Sequence, residues 1–190
     1  MAVCIIVWLF ESLLCVRDPS KGAAFLAVGE FSPAALHSRP WTAVTSMFFH
    51  EPVSIWHILF NMTALWSVAP VLESLMGRRR FLFLYMLSGL GGDIGLLVWS
   101  GCVPGGWDGA SYGASGAIFG LFAAVLIACG KARIGVGSMV LGMLPNLFLP
   151  LIIPNIAWQA HLGGFLAGGL ASLFLLPDLR AASRGSRPSF

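Results

Sequence analysis

Six predominantly apolar runs dominate the chain: Ala2–Val16, Ile55–Leu75, Phe81–Trp99, Ser115–Gly130, Ile134–Ile153 and Ala157–Leu176. A helix needs about 20 mostly apolar residues to cross a hydrocarbon layer of about 30 Å. Four of the six reach about that length, and Ser115–Gly130 falls a few residues short of it. The first is shorter and carries Glu11, so it is expected to tilt little or to lie partly in the interface. Only 10% of the 190 residues are charged and 57% are hydrophobic, against about 25% charged in an ordinary soluble domain. A soluble fold of this size has too little polar surface for that content, and disorder demands the opposite composition. The expected fold class is all-α, a polytopic membrane bundle of six helices. Residues 1–177 form the membrane domain and 178–190 a basic tail.

Charge placement predicts the orientation. Arg78, Arg79 and Arg80 follow the second run, Lys131 and Arg133 the fourth, and Arg180, Arg184 and Arg187 the sixth. That puts eight of the eleven basic residues on one side, and the positive-inside rule makes that side, with both termini, cytoplasmic. The long segment between the first two runs then lies outside. It is studded with Phe25, Phe31, Trp41, Phe48 and Phe49 and is predicted to form short, partly embedded helices. Pro145 and Pro150 should kink the fifth run. Cysteines at 4, 15, 102 and 129 have no metal-like spacing and read as apolar filler. No basic stripe with interleaved aromatics points to nucleic acid.

Strongly polar side chains inside spans are expensive and therefore candidates for function. His57 and Asn61, four apart, share one face of the second helix. Ser115 lies in Gly113-Ala114-Ser115-Gly116, where an outer loop meets the fourth helix. His161 lies near the outer end of the sixth. Three distant segments thus bring polar groups to one depth. A serine hydroxyl becomes nucleophilic when a base, usually histidine, takes its proton. The first N–H groups of a helix lack intrahelical partners and can face an oxyanion. Asn61 and His57 can add side-chain donors. Gly116 and Gly120 on the fourth helix, and Gly164 and Gly168 on the sixth, form small-xxx-small faces that allow close approach. Since 161, 164 and 168 follow i, i+3, i+7, the histidine rides on that face. Asp93, among Gly89, Gly91, Gly92 and Gly95, is expected to face another helix or the outer interface, without a catalytic role.

With these residues in place, the chain resembles the rhomboid family of intramembrane serine proteases from about Phe25 to Leu176. The resemblance rests on the segment from Trp41 to His50, on His57-Ile-Leu-Phe-Asn61, on Leu72-Glu73-Ser-Leu-Met-Gly77, on Gly113-Ala-Ser115-Gly-Ala-Ile-Phe119-Gly, and on Ala160-His161-Leu-Gly-Gly164-Phe-Leu-Ala-Gly168. It implies a Ser–His dyad with Ser115 as nucleophile and His161 as base. Asn61, His57 and the Ser115 N–H would form the oxyanion hole. Phe119 would pack against the catalytic histidine, and Glu73 would be a structural acid at the inner end of the second helix. The fifth helix would be a substrate gate. The usual Trp-Arg pair is here Trp41-Thr42, with Arg39 nearby, which bears on how the outer loop is anchored.

The resemblance further implies an endopeptidase that cuts single-span membrane proteins near the extracytoplasmic boundary, working within the lipid bilayer. The expected location is the plasma membrane of a prokaryote. No cofactor is expected: the histidines are scattered, no carboxylate cluster suggests zinc, and no ATP motif is present. The alternatives are an inactive rhomboid-like protein that binds membrane clients, and a small transporter or channel. Inactive relatives usually lack the serine or the histidine, and this chain has both. A transporter would show an internal repeat or a charged path.

Overall fold

A computed structural model describes residues 1–135, 137 and 157–177. The described residues are helical, with one isolated antiparallel bridge between Phe31 and Ser111. In chain order the α-helices are α1 (Ala2–Arg17), α2 (Pro19–Gly29), α3 (Thr42–Thr45), α4 (Ile55–Met76), α5 (Arg78–Cys102), α6 (Ser115–Ala132) and α7 (Trp158–Leu175). By length and composition α4, α5 and α6 suffice to cross a membrane. Their outward surfaces are apolar, with Trp66, Phe83, Ile94 and Val98 exposed, and α7 adds Leu170 and Phe174. Several polar side chains of these helices turn inward, Asn61, Asp93 and His161 among them. That inversion of a soluble protein's surface is what a lipid solvent selects. The predicted run Ile134–Ile153 with Pro145 and Pro150, and the tail 178–190, lie outside the described residues.

One expectation changes in detail. Arg78–Arg80 form the first turn of α5 and not a loop. Gly77 alone connects α4 to α5, at φ +78, a left-handed conformation that favours glycine. Arginine is a good helix former, so nothing delays the new helix. The segment after α1 does contain short helices, and it begins almost at once. Asp18 caps α2 by accepting the Ser20 and Lys21 N–H groups, and Pro19 occupies the first turn.

The segment around Trp41 and Thr42 is anchored on the end of α2. The last carbonyls of α2 have no helical partners. The Arg39 guanidinium donates to the Ala27 carbonyl, Trp41 Nε1 to that of Val28 (3.1 Å), and Thr45 Oγ1 to that of Gly29 (2.9 Å). Thr42 is fully buried, its hydroxyl donating to the Arg39 carbonyl at 2.7 Å. One guanidinium, one indole and one hydroxyl thus satisfy three successive acceptors.

The centre is a glycine-lined seam of α5, α6 and α7. A Cβ at Gly92 would meet the Ala160 carbonyl oxygen at 2.8 Å, and one at Gly116 would meet the same oxygen at 3.4 Å. Ala160 therefore nests its backbone between α5 and α6, which sets the depth of its neighbour His161. A Cβ at Gly164 would lie 2.0 Å from the Gly116 carbonyl oxygen, and one at Gly168 2.4 Å from the Gly120 Cα. Outside this seam, α4 packs on α6, and Met62, Leu65, Val68 and Leu72 of α4 are buried in the shared hydrophobic core.

Candidate active site

The seam delivers His161 to the first residue of α6. His161 Nε2 stands 2.8 Å from Ser115 Oγ, a hydrogen-bonding distance. The Phe119 ring stacks on the imidazole, centroids 4.3 Å apart and planes 5° from parallel. Phe119 is one helical turn beyond Ser115, so α6 presents the hydroxyl and the stacking ring on one face. His161 is 8% exposed, and its Nδ1 has no partner among the described residues. No acidic third member stands behind it there.

Ser115 opens α6, so its N–H belongs to the unpaired first turn. The preceding turn needs Gly113, which has φ +121 and donates its N–H to the Ser46 carbonyl at 2.9 Å. A Cβ there would sit 2.9 Å from His57 Nε2 and 3.7 Å from Ser115 Oγ. The absent side chain leaves a space between that imidazole and the hydroxyl. His57 Nδ1 accepts the Glu51 N–H at 3.2 Å. A neutral imidazole has one donor and one acceptor nitrogen, so Nε2 carries the proton and points a donor toward that space. Asn61 is 5% exposed and donates one amide hydrogen to the His57 carbonyl at 2.9 Å. Its NH2 group has a second hydrogen.

These groups line one cavity of about 420 Å³, which includes Ser115, His161, His57, Asn61, Phe119, Gly113 and Gly116. Gly164 and Gly168 act from behind it, in the seam. Glu73 is exposed near the far end of α4, sixteen residues beyond His57 or about 24 Å along the axis, and does not reach the cavity. Asp93 does line the cavity, 6% exposed with Oδ2 unpartnered among the described residues. Glu51 and Tyr112 also line the cavity, and sequence reasoning passed over both. Tyr112's one visible signal was its position three residues before Ser115.

Behind the cavity α1 grips the loop that leads to α4. Trp8 Nε1 donates to the Glu51 carbonyl (3.0 Å) and Ser12 Oγ to that of Pro52 (2.8 Å), while Glu11 Oε2 accepts the His50 N–H (3.2 Å). Positions 8, 11 and 12 share one helix face, which explains a carboxyl in the first apolar run. His50 is fully buried, faces Glu11 and the His57 ring, and bonds the Phe48 carbonyl through Nδ1. Burial, reinforced by His57, lowers its pKa from 6.5 to about 3. Below pH 6.5 the unfolded chain gains a proton that the folded chain refuses, so stability falls as pH drops toward 3. Thermal denaturation in detergent should show this loss, and His50→Gln should flatten it.

Comparison with known proteins points to one family. A family model described as Rhomboid domain matches residues 37–178. The chain is 34% identical over 154 residues to "Rhomboid protease GluP" of Bacillus subtilis, covering 77% of this chain and 28% of that protein. It is 31% identical over 182 residues to "Putative rhomboid protease YdcA" of the same organism, covering 90% of this chain and 84% of that one. "RHOMBOID-like protein 1" of Arabidopsis thaliana is 31% identical over 142 residues, 72% of this chain and 34% of its own length.

Proposed function

The chain belongs to the rhomboid family of integral membrane proteins, and from that premise we propose that it is an intramembrane serine endopeptidase working through a Ser115–His161 dyad. The observation that carries the reading is the 2.8 Å contact between Ser115 Oγ and His161 Nε2, inside a cavity that His57 and Asn61 also line. His161 Nε2 accepts the hydroxyl proton as Oγ attacks the scissile carbonyl. Negative charge develops on the carbonyl oxygen between the Ser115 N–H, His57 Nε2–H and the Asn61 amide. His161 then gives the proton to the leaving amine, and the acyl group stays on Ser115. Water, deprotonated by His161, releases it and restores the hydroxyl. Phe119 holds the imidazole plane through both halves.

The substrates under this reading are single-span membrane proteins cut near the extracytoplasmic boundary. A helix hides its peptide bonds, so a segment that unwinds easily is favoured. Six spans, both termini cytoplasmic and a prokaryotic plasma membrane complete the proposal, on the charge asymmetry given above.

The test is cleavage of a labelled transmembrane substrate by the purified protein in detergent. Wild type should cleave and Ser115→Ala should not. A serine variant that cleaves like wild type, or a folded wild type that cleaves no substrate offered, overturns the reading, and the second result favours client binding. Gly113→Ala should lower turnover about 10²–10³-fold, the cost of spoiling one oxyanion donor, because its Cβ would fill the space beside His57 Nε2.

A further inference from the structure

The residues around Tyr112 close a ring. Tyr112 Oη donates to Glu51 Oε2 at 2.6 Å, the Glu51 N–H donates to His57 Nδ1 at 3.2 Å, and His57 Nε2 faces Gly113, the residue after Tyr112. The Tyr112 and His57 rings pack with centroids 5.9 Å apart. The neighbours of Tyr112 are also pinned to the segment before α4. Ser111 exchanges two backbone hydrogen bonds with Phe31 (2.9 and 2.8 Å), and Gly113 donates to Ser46. Three consecutive residues of the nucleophile loop are thus tied to three points of the other loop. Tyr112 is tied by its side chain, to the residue that sets the His57 tautomer.

We propose that Tyr112 and Glu51 are positioning residues that lock the oxyanion hole, with their side-chain hydrogen bond holding the Glu51 N–H on His57 Nδ1. This rests on the protease reading above. Without that N–H, the neutral imidazole is free to place its proton on Nδ1. Nε2 would then present a lone pair to the developing oxyanion, a repulsion in place of a donor. Trp8, which holds the Glu51 carbonyl, and Tyr112, which holds its carboxyl, fix the peptide from two sides. Burial and the adjacent Glu51 carboxyl push the Tyr112 hydroxyl above the ordinary tyrosine range, so it stays a donor at working pH. Neither side chain transfers a proton in the reaction.

The experiment measures kcat and KM on the labelled substrate, the rate of fluorophosphonate labelling, and thermal stability for wild type, Tyr112→Phe, Glu51→Gln, Glu51→Ala and the Tyr112→Phe/Glu51→Ala pair. Tyr112→Phe removes one oxygen and keeps the ring. It should lower kcat and the labelling rate about tenfold, with KM within about twofold. Glu51→Gln keeps a carbonyl acceptor and should retain most of the rate, while Glu51→Ala should match Tyr112→Phe. The pair should be no slower than the slower single variant, because both break one coupling. The proposal fails if Tyr112→Phe keeps wild-type kcat, if kcat falls only in step with thermal stability, or if the two losses multiply. Failure of wild type to label or cleave would remove the protease reading itself, a result separate from these.

Discussion

His161→Ala is expected to reduce cleavage about 10²–10⁴-fold, the usual contribution of a positioned general base, while leaving the fold and the substrate's KM nearly unchanged. Among the described residues His161 makes one side-chain hydrogen bond, to Ser115 Oγ, and stacks on Phe119. Its Nδ1 has no partner among the described residues, so truncation strands no buried donor there. The seam beneath it is built from backbone and glycine, which alanine does not disturb. A large fall in thermal stability alongside the activity would show instead that the imidazole is chiefly a packing group. Steady-state kinetics on the labelled substrate, with a melting curve in the same detergent, separates the two outcomes.

Gly164→Ala should damage both stability and catalysis, through backbone and not chemistry. Its Cβ would lie 2.0 Å from the Gly116 carbonyl oxygen and 3.1 Å from that of Ser88. Neither acceptor belongs to a flexible side chain, so α7 must move away from α6 and α5. Overpacking of this kind costs about 1–3 kcal/mol. Here it also lengthens the Ser115–His161 contact, because Gly116 and Gly164 are the near neighbours of those two residues. Gly169→Ala is the control. Its Cβ would approach Ala123 Cβ at 3.4 Å, ordinary van der Waals contact. That variant should melt and cleave like wild type. Equal behaviour of the two variants would contradict a close-packed α6–α7 seam.

Much of the described fold was legible because lipid imposes a simple rule on sequence. Apolar runs placed the starts of α4 and α6 at Ile55 and Ser115, as observed, and the α7 boundaries within one residue. Arg78–Arg80 were misread as a loop because charge marks the membrane boundary, and not the end of a helix. The neighbourhood of Ser115 and His161 was legible for a different reason. Helical periodicity put His57 over Asn61, and glycine spacing put His161 on a close-packing face. What escaped were contacts carried by irregular backbone. Tyr112 meets Glu51 across 61 positions, and no period relates them. Asp93 sits one residue from Gly92, which packs on Ala160. Only the crossing of α5 and α7 determines that its carboxyl lines the cavity. Arg39 donates to the Ala27 carbonyl because the end of α2 offers acceptors within its reach, a fact of loop path and not of composition.

The central claim is that Ser115 is a nucleophile activated by His161. Its most direct test is to treat the folded protein with a fluorophosphonate and locate the adduct by peptide mass spectrometry. The account predicts one phosphonyl group on Ser115 in wild type, and its loss in both Ser115→Ala and His161→Ala. An adduct on another residue, or labelling of Ser115 that is indifferent to His161, would contradict it.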